Sequence, residues 1–320
     1  MSERRERADE HRATNPVADQ QAGDEQALRD DVGAVVVARD ALAATGPDTV
    51  SFLQGQLSQD LEAQAVGATA WSLVLSPQGK VDALVRLTRR AYDEIVVDVD
   101  TGHGDDLRAR LERFKLRVRC EIEPVPWGAV ALRGPRSGAV AAALDPSVRQ
   151  APAGWAGIEA IDLVGPDVEV PDGVRACGPA AYEVLRIEAG WPLMGAELTE
   201  RTIPAEAGIV DRTVSFTKGC FTGQELVARI DSRGGNVPRR LRALVLPGAE
   251  LPPAGAEVHL RGEADGKAIG AVTSSAHSAT RRAAVAAAYL RRDTELPADV
   301  QVSWDGGTVD GRAAAVPLDA

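Results

Sequence analysis

Beyond Pro238 the chain shows no helical period. Residues 241–246, 257–260, 268–274, 283–290 and 300–304 are short apolar or alternating runs set apart by Pro- and Gly-rich turns. Strands this short must close on one another or leave unpaired edges, so the segment predicts a small β-barrel. The preceding stretch, 31–240, reads as two α+β subdomains in which strand-like and amphipathic runs alternate. Val35, Val36 and Val37 form a short strand, and Asp48 in the Gly46-Pro47-Asp48 turn is placed to cap a helix through Val50, Leu53 and Leu57. Residues 71–75 and 81–87 pair as a hairpin across the Ser76-Pro77-Gln78-Gly79 turn, with 94–99 as a third strand. Leu107 and Leu111 mark an amphipathic helix over 105–114, and 116–122 alternates as a strand. A second unit follows: strand 127–132, helix 137–144, strand 157–163, a strand near Val174, and a helix over 182–189 that Gly190 stops.

Residues 1–30 carry many charges and almost no large apolar side chains, too little burial to offset ordering entropy, and are expected to form a disordered tail. The barrel domain is expected over 241–320. No apolar run approaches the roughly 18 residues of a membrane span. The opening segment is charged where a signal peptide is apolar, so a cytoplasmic protein without membrane association is expected. Lys and Arg number 36 against 47 Asp and Glu, a formal charge of −11, which repels nucleic acid at long range while leaving a local basic groove open. Cys120, Cys177 and Cys220 are far apart with no CxxC pair, so neither a disulfide framework nor a self-contained metal site is expected.

Cys220 is the residue whose setting carries most chemistry. It lies between Gly219 and Gly223, just ahead of a helix expected to begin at Thr222 or Gly223 and to run through Leu226, Val227 and Ile230. The helix dipole and the Lys218 ammonium both favour thiolate, which makes Cys220 either a reactive thiol or, in the plainer reading, an inert half-buried cysteine. Gln224 and Glu225 read equally as helix-starting residues or as neighbours of the thiol. Arg229, Arg233, Arg239, Arg240 and Arg242 read as a solvated edge or as a cluster that grips carboxylates or phosphates.

The run Lys218-Gly-Cys-Phe-Thr-Gly-Gln-Glu225 resembles the signature of the YgfZ family of folate-binding relatives of glycine-cleavage aminomethyltransferase, a family that includes a mitochondrial iron–sulfur assembly factor. Four further segments are similar in the right order: 46–60, 76–80, 185–192 and 269–274. The resemblance implies a multi-domain ring of aminomethyltransferase type with a folate-binding central channel and a C-terminal barrel. It implies tetrahydrofolate as cofactor, with Glu188 of the Arg186-Ile187-Glu188-Ala189-Gly190 segment binding the pterin, Arg186 beside it, and Gln224 and Arg229 toward the same ligand. A carboxylate suits a pterin because it accepts two of its N–H donors at once.

Relatives that transfer an aminomethyl group carry an aspartate shortly after the glycine turn, and here Leu84 stands at that place, with Asp82 two residues earlier on the same strand face. The expected function is therefore a tetrahydrofolate-binding accessory factor in iron–sulfur cluster assembly or repair, with Cys220 as functional thiol, Lys218 as its partner, and assembly or client proteins as partners. A folate-dependent aminomethyl- or methyltransferase or demethylase is the first alternative, and an accessory protein of tRNA modification the second.

Overall fold

The computed structural model describes residues 16–262 and 266–319. Contrary to the expected tail, Pro16–Asp30 is a helix, α1, and Asp24, Glu25 and Leu28 on it are buried. Its weak apolar character hid it, because polar groups fix it to the body: Glu25 accepts from Ser278 Oγ, Ala279 N and Thr280 Oγ1 at 2.8, 2.8 and 2.6 Å, and Asp24 pairs with Arg175 at 2.8 Å. The rest of the expected tail, 1–15, lies outside the described residues.

Then come β1 (Gly33–Thr45), α2 (Thr49–Gln56), β2 (Thr69–Leu75), β3 (Val81–Ala91), β4 (Glu94–Asp100), α3 (Gly104–Phe114) and β5 (Glu121–Pro124). The second unit holds β6 (Gly128–Arg133), α4 (Ser137–Ala142), β7 (Arg149–Pro152), β8 (Ala160–Gly165), β9 (Arg175–Ala176) and α5 (Pro179–Ala189). Both units share one sheet of order β2-β3-β4-β1-β6-β8-β7, and β1 is the joint. Its first half, through Ala38, pairs with β6, and from Arg39 onward it pairs with β4. Asp48 does not cap α2 with its side chain; its carboxylate instead takes three hydrogen bonds from Arg119. The expected strand over 116–122 shrinks to β5, since Arg117 adopts φ 57° and breaks the extended run.

Connecting helices α6 (Pro204–Ala207), α7 (Val210–Thr213) and α8 (Gln224–Ser232) lead into the barrel. Its strands are β10 (Arg239–Pro247), β11 (Glu257–Leu260), β12 (Gly270–Ser278), β13 (Ala283–Arg291), β14 (Ala298–Trp304) and β15 (Gly307–Ala314). They close in the order β10-β13-β12-β11-β14-β15. β15, polar and with a glycine at 311, carried no strand signal of its own, yet it pairs with both β14 and β10 and seals the barrel. Ala284, Ala286 and Ala288 of β13 fill the narrow interior, while Val285, Ala287 and Tyr289 join the core around α5. Burial on both faces explains why β13 reads as a continuous small apolar run.

The same central core takes in Trp71 and Leu73 from the sheet, Val184, Leu185 and Ile187 from α5, and Phe221 and Val227 from the thiol-bearing segment. Among these apolar groups the sheet carries a buried chain of ion pairs, Arg39–Asp98–Arg86–Asp162–Arg133, with Arg133 4.2 Å over the ring of Trp155. No helix among the described residues is long and apolar enough to cross a membrane.

Candidate functional site

Three of the sequence segments that resemble one family meet in space. α2 ends at Gln56, and a helix C-terminus leaves carbonyls without intrahelical partners. The Lys218 ammonium donates to the carbonyls of Gln54, Leu57 and Gln59 at 2.6, 2.7 and 3.0 Å, so all its N–H groups are taken and it favourably caps the negative end of the helix. Thr222 N donates to Gly55 O at 3.1 Å, and Ser58 Oγ donates to Thr213 O at 2.6 Å. The hairpin turn closes the third side. Gly223, at φ 81°, lies so near that turn that a Cβ would stand 2.5 Å from Ser76 O, and a Cβ on Gly79 would stand 2.7 Å from Leu226 Cβ. Only glycine fits either place.

On this clamped loop Cys220 is exposed. The expected pairing of its thiol with the Lys218 ammonium does not form, because the ammonium turns inward to the three carbonyls. Burial pushes the Lys218 pKa down to about 8. The other cysteines differ from Cys220: Cys120 is buried and receives a hydrogen bond from Thr49 Oγ1 at 3.4 Å, while burial and then Asp24 push the Cys177 thiol up to about 11. Gln224 opens α8, and its Oε1 accepts from Phe221 N at 3.2 Å, a helix-start contact. Arg229 is exposed on α8.

The hairpin turn that supports Gly223 also forms one wall of a cavity of about 550 Å³, with Ser76 and Pro77 on its edge. β2 and β3 slip register here: Val74 pairs with Ala83 but Leu75 with Val81, so Asp82 falls in a bulge. A bulge turns its extra residue out of the ladder, and Asp82 lines the cavity with Oδ2 accepting from Arg110 Nε at 2.9 Å. Leu84, the residue set by sequence at the place of the relatives' aspartate, is instead core, 2% exposed. Its N–H faces Met194 Sδ at 3.3 Å. Arg110 also reaches Gln56 Oε1 at 3.2 Å and Leu75 O at 3.0 Å, tying the cavity acid to the segment that holds Lys218. His103, Asp106, Arg113 and Glu200 complete the polar wall, opposite Leu107, Phe114, Met194 and Leu198.

Glu188 and Arg186 are not at this cavity. Glu188 accepts from Arg29 at 2.5 Å and from Arg281 at 2.6 Å, with its side chain 6% exposed, so each oxygen takes one guanidinium bond and together they join α1, α5 and the β12–β13 turn. Arg186, 1% exposed, uses its whole fork: Nε and Nη2 on Glu183, Nη1 on Trp191 O and Glu197, and Nη2 on Ser274 Oγ. Glu197, which sequence reasoning missed, completes this knot. Its Oε1 accepts from Thr273 and Ser274 Oγ at 2.7 and 2.6 Å, and its Oε2 from Arg186 and Leu193 N at 3.0 Å each. The pair expected to bind the pterin also joins α5 to α1 and to the barrel. The arginine cluster also divides: Arg239 pairs with Glu206 at 3.1 Å, while Arg229, Arg233, Arg240 and Arg242 have no acidic partner among the described residues.

Residues 239–319 match the family model described as the glycine cleavage T-protein C-terminal barrel domain. An uncharacterized protein of Haemophilus influenzae is 25% identical over 232 residues, 72% of this chain and 79% of that protein. An aminomethyltransferase of Streptomyces avermitilis is 29% identical over 302 residues, 82% of this chain and 79% of that enzyme. Among solved structures, the glycine cleavage system aminomethyltransferase T from Bartonella henselae superposes with a TM-score of 0.75 at 21% identity, over 93% of this chain and 89% of that one. The chain therefore has the aminomethyltransferase fold, completed by a closed six-stranded barrel that matches the C-terminal domain of the glycine cleavage T-protein.

Proposed function

We propose that the protein is a tetrahydrofolate-binding accessory factor that supports iron–sulfur cluster assembly or repair through Cys220. The observation that carries this reading is the placement of an exposed thiol on a loop clamped at three carbonyls by Lys218, directly against the turn that walls a ligand-sized cavity. The cavity suits a reduced folate. Its volume lies within the range of small-molecule sites, Leu107, Phe114 and Met194 offer an apolar wall to a pterin, and Asp82 and Glu200 can accept pterin N–H bonds. Arg113 offers a guanidinium to the carboxylates of a glutamyl tail. The bound folate would supply one-carbon chemistry, while this chain's residues bind and orient it.

Anaerobic calorimetric titration of tetrahydrofolate should give saturable binding that Asp82→Asn weakens by about tenfold, the loss expected for a charge-assisted hydrogen bond. Cys220→Ser should leave that binding unchanged while abolishing the support of iron–sulfur enzymes in cells lacking the native protein. Full support by the serine variant would remove the thiol from the function.

A second reading, aminomethyl or methyl transfer to folate, gains from one observation: Asp82 reaches the cavity through the bulge, supplying an acid where sequence placed a leucine. Supplying tetrahydrofolate with methylamino or aminomethyl donors and measuring methylene-tetrahydrofolate decides between them. Turnover abolished by Asp82→Asn would make the protein a transferase.

A further inference from the structure

A separate cavity of about 300 Å³ lies among α6, α7, α8 and the start of β10, and none of its residues takes part in the function proposed above. Its walls are apolar: Ile203, Pro204, Val210, Val227 and Ile230. Three charged residues also line it, Arg240, Asp211 and Asp231, and among the described residues none of the three forms an ion pair. Arg240 spends only one donor, Nη2, on Gly235 O at 2.7 Å. Arg242 lies nearby on the same strand, half-buried and without an acid, so the two guanidiniums repel one another in a partly desolvated place. Arg240, half-buried on the cavity wall with a second cation beside it, is placed to take an anion.

Two acids on the same rim exclude a plain anion as the best occupant. A ligand with a carboxylate, an ammonium and an apolar body on adjacent atoms satisfies every group at once. A peptide separates its two terminal charges, whereas a free amino acid carries both on one carbon. The volume is at the low end for ligand pockets, suited to one amino acid and too small for a folate.

We propose that this cavity binds a free α-amino acid with an apolar side chain, its carboxylate on Arg240, its ammonium toward Asp211 and Asp231, and its side chain against the Ile203, Val227 and Ile230 wall. The site gives the protein a second small-molecule ligand, held by α8, the helix that follows the thiol loop.

Calorimetry on the full chain tests it with L-leucine, leucinamide and 4-methylpentanoate, the last two lacking the carboxylate or the ammonium. Leucine should bind saturably, and each analogue about tenfold or more weakly, as expected for losing one charge-assisted contact. Arg240→Gln should weaken leucine by a similar factor with the thermal unfolding midpoint unchanged. Ala205→Phe, which fills the hollow from α6 without touching a charge, should abolish binding. No saturable heat with leucine, valine or phenylalanine would overturn the proposal. So would leucine binding that survives Arg240→Gln, or 4-methylpentanoate binding as tightly as leucine.

Discussion

Lys218 shows how one side chain can organise a site without entering its chemistry. The residue is buried, and the ammonium that meets the three carbonyls also lies 5.1 Å over the ring of Phe221. Lys218→Met keeps the stem but leaves three carbonyls at the end of α2 without their partner. Leaving a buried acceptor unpaired costs about 1–3 kcal/mol, and these three are partly reachable by water, so a total loss on the order of 3 kcal/mol in urea unfolding is expected. Cys220→Ser, at an exposed position with no packing role, should change stability by less than about 0.5 kcal/mol. The contrast separates the two members of the motif: the lysine builds the loop and the cysteine is what the loop presents. That a lysine and cysteine stood together at a glycine-bracketed turn was legible in the sequence. The direction of the ammonium was not, because its acceptors lie some 160 residues earlier in the chain.

At the scale of elements, α1 is held by hydrogen bonds more than by apolar area. Burial raises the Glu25 pKa, but the bonds from Thr280, Ala279 and Ser278 outweigh it and leave the pKa below its ordinary value of 4.5. A carboxyl depressed in the folded state binds fewer protons there than in the unfolded state. Its stabilisation is therefore complete above 4.5 and is lost as pH falls through the lower folded value. Protection of the α1 amides, taken against the intrinsic exchange rate at each pH, should fall on the acid side of 4.5 before that of the barrel strands, and Glu25→Gln should lower it likewise at neutral pH. Protection of α1 retained at acid pH would show that Leu28, not Glu25, anchors the helix. A segment with so few large apolar residues gives no periodic signal, which is why it read as a tail. β15 was invisible for the same reason, since its pairing partners and not its composition make it a strand.

For the whole molecule, the joint that matters is the knot of Arg186, Glu183, Glu197 and Ser274 between α5 and β12. Burial opposes the charge on Arg186, yet Glu183 and Glu197 more than offset it and hold the guanidinium firmly protonated. Breaking one partner of a buried pair costs about 3–5 kcal/mol, so Arg186→Met should destabilise the protein by that order and split its calorimetric unfolding into separate body and barrel transitions. A single unchanged transition would show that apolar packing of α5 against β13 suffices to join the two.

What the sequence by itself determined was whatever depends on near neighbours along the chain. The helix of α3 follows from Leu107 and Leu111, the stop of α5 from Gly190 in its left-handed conformation, the barrel from short strands between Pro- and Gly-rich turns, and the thiol loop from its glycines. Tertiary structure alone decided which acids face a cavity and which tie elements together. Glu188 and Arg186 stand in a segment that reads as a ligand site, and in space they also bind partners from α1, the 183–197 segment, β12 and the β12–β13 turn. Asp82 was two residues out of place until a bulge, set by how β2 meets β3, brought it to the cavity wall. A carboxylate's role follows from what surrounds it in space, and those surroundings come from distant parts of the chain.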